Sequence, residues 1–487
     1  NLYSVVPTQF FNEEILMTFT GDPWFIHNES AFGLGMLYSH EDDSLYVSAI
    51  NSLKSGNEKV EVGGVFRCKL VDKWLCTKYF FIPNEEKYKK PRIQIRPLFG
   101  ISFKEDFNKT MLVCGSNVPF SQYISYFCYR YYRIGGNLIS DIGLASRRTV
   151  NNQIYVDNYG MLLENYDNTT LSDPRFLIGQ INEVYYDIDQ QPNKDNSFII
   201  VQSQQSQTQI FPLKSVPSYS VLVNVGSYLN RVIVFYNKAN DFLGMIDVFT
   251  DQLQVIQTIN VLFGSPGQQF GFSSVLGRFN KNKCTSFAVS APLYSKVVDE
   301  GVVFVYTCNP LLNKYYETPT LLFGENSPHA RFGVAVASLK DVNNDGYDDL
   351  AILAPGWYKE HPHIFVYVSG PTGFSNSFAQ KIIVDKSQPV STILSYGLLT
   401  GFDADKDGTN DMAISFPNNN RVIIISGIHF TKINVTVSAL LDTSVAQPKY
   451  GCYLKSGITL CGIFLSYEAK IGLQLDYLLA EQLKYRI

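Results

Sequence analysis

Short apolar runs separated by polar loops recur along the chain, and the clearest of them share one punctuation. Phe270-Gly271-Phe272 leads through a polar stretch to Phe287-Ala288-Val289-Ser290-Ala291-Pro292. Phe332-Gly333-Val334 leads in the same way to Leu350-Ala351-Ile352-Leu353-Ala354-Pro355, and Tyr396-Gly397-Leu398 to Met412-Ala413-Ile414-Ser415-Phe416-Pro417. Each copy reads aromatic, Gly, strand, polar loop, strand, small residue, Pro, which is strand patterning rather than a helical period. Upstream the aromatic-Gly step returns at Phe32-Gly33, Phe99-Gly100 and Tyr159-Gly160, and a degenerate Pro217-Ser218-Tyr219 fills the remaining gap. The repeat positions 33, 100, 160, 218, 271, 333 and 397 are 67, 60, 58, 53, 62 and 64 residues apart, so (397 − 33)/6 gives about 61 residues per unit.

A unit of this length holds four short strands with turns, as in residues 334–339, 350–354, 363–367 and a following return strand. That is one blade of a β-propeller. The pattern therefore predicts an all-β chain with a seven-bladed β-propeller over residues 1–430. In such packing the Gly lets backbone pass close to its neighbour, and the aromatic fills the wedge between adjacent sheets. Residues 1–31 exceed what a first inner strand needs. The segment around Phe10-Phe11-Asn12 is expected to supply an outer strand to the last blade, pairing both chain ends.

Composition agrees with a folded β chain: 487 residues, 45% apolar and 17% charged, with 34 Phe, 31 Tyr and 34 Gly. Forty basic and 44 acidic residues leave a net charge near −4, so neither a nucleic-acid footprint nor a polybasic membrane patch is indicated. The basic run 87–92 reads as a solvated loop. No apolar stretch approaches the roughly 18 residues of a membrane helix. The start at Asn1 lacks Met and a leader, and reads as a mature or trimmed segment.

Eight cysteines fall in four local couples, Cys68 and Cys76, Cys114 and Cys128, Cys284 and Cys308, Cys452 and Cys461. About 105 pairings are possible, and the sequential one is expected because such couples can face each other on neighbouring strands. Sequons at Asn28, Asn108, Asn168 and Asn434 point, with the cysteines, to an oxidising secretory route and an extracellular location.

The chemistry is concentrated in two loops. Asp341-Val342-Asn343-Asn344-Asp345-Gly346-Tyr347-Asp348-Asp349 and Asp403-Ala404-Asp405-Lys406-Asp407-Gly408-Thr409-Asn410-Asp411 share D-x-[DN]-x-D-G-x-x-D. Oxygens at positions 1, 3, 5 and 9, with the carbonyl at position 7 (Tyr347, Thr409), can converge on one hard cation, and Gly at position 6 permits the turn. An EF-hand needs Glu at position 12, where Ile352 and Ile414 stand, so each loop is expected to be a Ca²⁺-filled turn between strands. The alternative is a metal-free Asx-rich turn. Both final Asp residues lie six positions before the repeat Pro, and about four carboxylates repel one another without a cation. Two structural Ca²⁺ sites are expected. In the fifth repeat the equivalent positions are Arg278, Asn280, Asn282 and Ser286, with Lys283 in place of Gly; no Ca²⁺ is expected there, and fixed cationic side chains are the proposed substitute.

These residues resemble the extracellular head of an integrin α subunit over about residues 1–430, most clearly in 332–355 and 396–417. Residues 431–487, with Ile433–Ala439, Cys452 and Cys461, look like the start of the family's thigh domain, an immunoglobulin-like β-sandwich left incomplete. The resemblance implies a cell-adhesion receptor on the extracellular face of the plasma membrane, a type I membrane protein ectodomain. Its partners would be an integrin β subunit and an extracellular-matrix or cell-surface protein ligand. The β subunit's I-like domain would insert a basic side chain into a channel lined by the residues after each repeat Gly: Leu34, Ile101, Met161, Tyr219, Phe272, Val334 and Leu398, with Tyr219 and Phe272 as cation–π partners. Family members commonly carry three or more calcium loops, against two here. The run Phe211-Pro212-Leu213-Lys214-Ser215 lacks the Asp of arginine-reading members, which disfavours an Arg-Gly-Asp ligand. No inserted ligand-binding domain separates the second and third repeats.

Catalysis has no candidate residues: no G-x-S-x-G elbow, P-loop or H-E-x-x-H occurs. His361-Pro362-His363 places two imidazoles on one strand face without an apparent third metal ligand. The rival reading is a secreted or surface calcium propeller acting as a solitary ligand- or carbohydrate-binding module.

Overall fold

The computed structural model describes most of residues 9–80 and 231–428, strands and a few side chains between 99 and 131, and strand backbone alone in 132–228 and 448–465. Two compact units result, Gln9–His429 and a second built from Asn1–Thr8 with Phe430–Ile487. Among the described residues regular structure is all β apart from one short 3₁₀ turn, Pro417–Asn419. No described helix is long and apolar enough to cross a membrane.

Within the first unit the chain forms antiparallel sheets of four strands taken in sequence order. Five such sheets span residues 102–145, 162–212, 222–260, 274–322 and 335–383. The sixth sheet has eight strands: Met36–Ser39, Ser44–Ala49, Gly64–Lys69, Leu75–Phe80, then Phe11–Gly21, then Arg421–Gly427, Asp411–Phe416 and Leu398–Phe402. Phe11–Gly21 joins its halves, antiparallel to Arg421–Gly427 (Phe19 opposite Val422) and parallel to Leu75–Phe80 (Thr20 opposite Leu75). The N-terminal segment thus supplies the outer strand of the last sheet. A buried glutamine ties it down as well: Gln380 Oε1 accepts the N–H groups of Phe10 and Phe11 at 2.7 and 3.0 Å, and its Nε2 donates to the Phe11 carbonyl at 2.8 Å.

Where side chains are described, the second strands are apolar on both faces because neighbouring sheets cover them. Ser286–Ala291, Asp349–Ala354 and Asp411–Phe416 are buried along their whole length. The apolar clusters bridge successive sheets: Phe270 packs with Ile233 and Val248 on one side and Val289 and Phe304 on the other, and Phe332 packs between Val303 and Ile352. Phe32, Phe99, Phe270 and Phe332 are at most 1% exposed, so the repeat aromatics do fill the wedges. The following glycines carry the close approach. Gly33 and Gly333 have φ of +102° and +97°, and a Cβ there would lie 2.9 and 2.8 Å from the Cβ atoms of Ser415 and Ser290.

The second unit contributes one described hairpin, Pro448–Lys455 with Ile458–Leu465, in which Cys452 stands opposite Cys461. The four sequons lie outside the described residues. Cys68 and Cys76 form a disulfide across adjacent strands, Cys114 stands opposite Cys128 in register, and Cys114 and Cys308 each take part in a separate disulfide.

Candidate metal centres

Both acidic loops leave their sheet by the same irregularity. A register shift after Ser338 in one hairpin and after Thr400 in the other brings Lys340 opposite Asp349 and Phe402 opposite Asp411. Positions 4 and 6 of each loop are left-handed, Asn344 (φ 56°) with Gly346 (φ 96°) and Lys406 (φ 60°) with Gly408 (φ 88°). This folds the chain tightly enough to aim carboxylates inward.

The hydrogen bonds repeat in register. The position 1 carboxylate accepts from positions 5 and 6: Asp345 and Gly346 N–H to Asp341 at 2.9 and 2.6 Å, Asp407 and Gly408 N–H to Asp403 at 3.1 and 2.8 Å. Position 3 accepts the position 5 N–H, at 3.1 Å on Asn343 and 3.2 Å on Asp405. Position 5 accepts the position 7 N–H, from Tyr347 at 3.0 Å and Thr409 at 2.8 Å. The ninth residue is held from two elements. Asp349 accepts from Val342 at 3.0 Å and Ser369 at 2.8 Å, and Asp411 from Ala404 at 2.6 Å and Gly427 at 2.9 Å. Ser369 and Gly427, at the ends of the third strands, are parts of the site that the loop motif does not reveal.

Asp349 and Asp411 are wholly buried. Burial pushes the Asp349 carboxyl up to about 7 and that of Asp411 up to about 6, the neighbouring carboxylates of Asp345 and Asp341, or Asp405 and Asp403, adding to the rise while the backbone donors oppose it. Carboxylate oxygens of Asp403, Asp405 and Asp411 lie within 4.8 Å of one another. Oxygen donors gathered around a charge deficit fit a hard cation such as Ca²⁺. The loop at 341–349 differs in having the Asn343 amide at position 3, which also donates to Asp345 Oδ2 at 3.0 Å.

The fifth-repeat loop follows the same plan without carboxylates. Asn282 N–H bonds Asn280 Oδ1 at 3.0 Å, and Cys308 N–H bonds Ser286 Oγ at 3.3 Å, where the acidic loops use Asp349 and Asp411. Asn282 Nδ2 reaches the Cys308 carbonyl at 2.7 Å. Arg278 does not supply the expected cationic substitute: its side chain is exposed, and its backbone instead exchanges bonds with Asp348 of the next loop, at 2.7 and 2.9 Å. Lys283 lies outside the described residues.

The expected channel residues divide. Phe272 is 39% exposed, Leu34 and Leu398 are half-buried, and Val334 is buried in the core between sheets, so it does not line an open surface. Ile101, Met161 and Tyr219 lie outside the described residues.

A family model for the FG-GAP repeat matches residues 332–373, the segment that contains the first acidic loop. That segment is therefore similar to an FG-GAP repeat. It is 29% identical over 208 residues to integrin alpha-PS3 of Drosophila melanogaster, 42% of this chain and 18% of that protein. Over 190 residues it is 30% identical to integrin alpha-PS5 of the same fly, 38% of this chain and 18% of the relative. It is 26% identical over 221 residues to integrin alpha-4 of Xenopus laevis, 44% of this chain and 20% of the relative. Over about two fifths of its length the chain is thus similar to integrin α subunits. The matches span about a fifth of the length of these relatives.

Proposed function

We propose that the chain is the adhesion head of an integrin α-like receptor: a closed seven-bladed propeller at 1–430, Ca²⁺ held in its last two hairpins, and one face docked on a β subunit. Closure is supported by the first strands of the four-strand groups. Met36–Ser39, Ser102–Glu105, Leu162–Tyr166, Leu222–Tyr228, Ser274–Gly277, Ala335–Lys340 and Leu398–Phe402 each abut the next, and the last abuts the first. The disulfides support an oxidising, extracellular location. Residues 431–487 begin the thigh-like sandwich in this reading. A receptor head that binds a partner and a protein ligand has no need of catalytic groups.

The observation that carries the docking face is a set of exposed apolar side chains. Phe242, Leu262, Phe263, Phe272 and Val298 are 50, 70, 42, 39 and 57% exposed. All lie in connections between second and third strands or between successive sheets, which in an alternating antiparallel sheet share the end opposite the acidic first hairpins. A β-subunit head is the occupant. Co-secretion with integrin β heads in millimolar Ca²⁺ tests it. Stable pairing lost in Leu262→Asp plus Phe272→Asp, with the variant still folded, is the expected result. A folded chain that pairs with no β head overturns the receptor reading and favours the solitary propeller.

A further inference from the structure

The histidine pair that the motif search left without a role opens onto a cleft at that same end, between the sheets of residues 274–322 and 335–383. The cleft has a volume of about 270 Å³, and His361, His363, Glu300, Glu325, Phe332 and Phe365 are among the residues that line it. Glu300 is the unusual member, because it is 2% exposed yet only half satisfied. Its Oε1 accepts the Lys296 N–H at 3.1 Å, whereas its Oε2 is buried without a hydrogen-bond partner. A buried carboxylate oxygen left unpaired costs more than most surface contacts return. His361 Nδ1 is likewise buried and unpartnered. Glu325, on the rim, is paired with Lys381 Nζ at 2.6 Å. The rim backbone is held in left-handed conformations at four non-glycine residues, Asp299, Asn326, His329 and Arg331, with φ of 48°, 54°, 58° and 51°. Such strain persists only where the surroundings enforce it.

We propose that this cleft receives a guanidinium group, an arginine side chain of a bound polypeptide. The unmet groups are a carboxylate oxygen and an imidazole nitrogen that can accept, so the missing partner is a donor, and the buried carboxylate asks for a cation. Phe332 and Phe365, edge-to-face at 5.3 Å, supply aromatic walls. A planar, weakly hydrated guanidinium suits aromatic walls and a carboxylate together better than an ammonium does. A metal ion is the poorer occupant, since the His and Glu donors here do not gather as the Asp403, Asp405 and Asp411 oxygens do. A polypeptide source is favoured by the exposed Val298, two residues from Glu300, which offers apolar seating beside the mouth.

The test uses the whole chain in millimolar Ca²⁺ and needs no β subunit, so it is separate from the pairing experiment. N-acetyl-arginine methylamide and its lysine counterpart are titrated by saturation-transfer NMR and calorimetry. Saturable arginine binding is expected, weaker for lysine, and reduced about tenfold by Glu300→Gln, the effect of losing one charge-assisted hydrogen bond. The exposed-rim variant Glu325→Gln, which leaves the interior untouched, is expected to reduce it about twofold to threefold. No saturable binding overturns the proposal. So does equal binding of arginine and lysine, binding unchanged in both variants, or a stoichiometric Zn²⁺ site that His361→Ala abolishes.

Discussion

Three hairpin turns in consecutive repeats follow one backbone plan, and only two of them are built from carboxylates. In the loops at 341–349 and 403–411 the ninth residue is a buried Asp that accepts an N–H from the end of the third strand. In the loop at 278–286 the same job falls to Ser286, and the Asn282 amide reaches the chain at Cys308, itself disulfide-bonded. One plan can therefore be closed in two ways. In the proposed reading a gathered set of carboxylates closes on a cation, whereas neutral side chains need none. The acidic version couples the shape of the turn to a solution variable, and the neutral version is indifferent to it.

Chelation separates the two most strongly. With Ca²⁺ at about a hundred times its dissociation constant, each acidic loop contributes about 2.7 kcal/mol through binding to the folded state alone. Adding EDTA is expected to lower the melting temperature and to expose 341–349 and 403–411 to hydrogen exchange or proteolysis, while 278–286 stays protected. Equal loss of protection in all three loops would erase the distinction. Asp411→Ala comes next: besides removing a cation donor it strands the N–H groups of Ala404 and Gly427, a cost of about 3 kcal/mol, and bound Ca²⁺ measured by mass spectrometry falls by one per chain.

The third effect depends on pH. Without metal, Asp349 and Asp411 have carboxyl groups raised to about 7 and about 6, above their ordinary value of 3.8. The folded state then holds more protons than the unfolded one between those limits. Their contribution to folded stability in EDTA is therefore greatest at low pH and is lost as pH rises through 6 to 7. Going from pH 7.5 to 5.5 should return about 2 kcal/mol to the metal-free chain and narrow its gap from the calcium form, as read by denaturant titration. A gap that widens on acidification would contradict this assignment of the carboxyl groups. Smallest is Ser286→Ala, which removes one hydrogen bond to Cys308 N–H and should cost about 1 kcal/mol equally with and without Ca²⁺.

What could be read in advance was whatever lies close in sequence. The nine-residue pattern contains its own glycine and carboxylates, and the aromatic-Gly steps at Phe32, Phe99, Phe270 and Phe332 state both wedge and close approach. The surplus of residues before Phe32 was enough to expect an added outer strand around Phe10-Phe11-Asn12, which is observed as Phe11–Gly21. Its irregular register, shifted between Phe11 and Ile15 and again before Met17, was not legible, because it depends on the strand it meets. The same holds for Gln380, an ordinary polar residue until it binds backbone some 370 positions away. Val334 was misplaced because position after the glycine does not say how far the strand is overlapped by its neighbour. Glu300 reads as a loop carboxylate; only packing buries it beside His361.

The strand Phe11–Gly21 is the first part of this unit to be synthesised, and its partner Arg421–Gly427 is the last. At typical elongation rates of about 5–20 residues per second, roughly 20–80 s separate their emergence from the ribosome. Throughout that interval the strand presents an open edge that any other nascent strand could take up. The final sheet cannot form from contiguous chain at all, so the wait, and whatever shields that edge during it, belongs to the biogenesis of the protein as much as the contacts that end it.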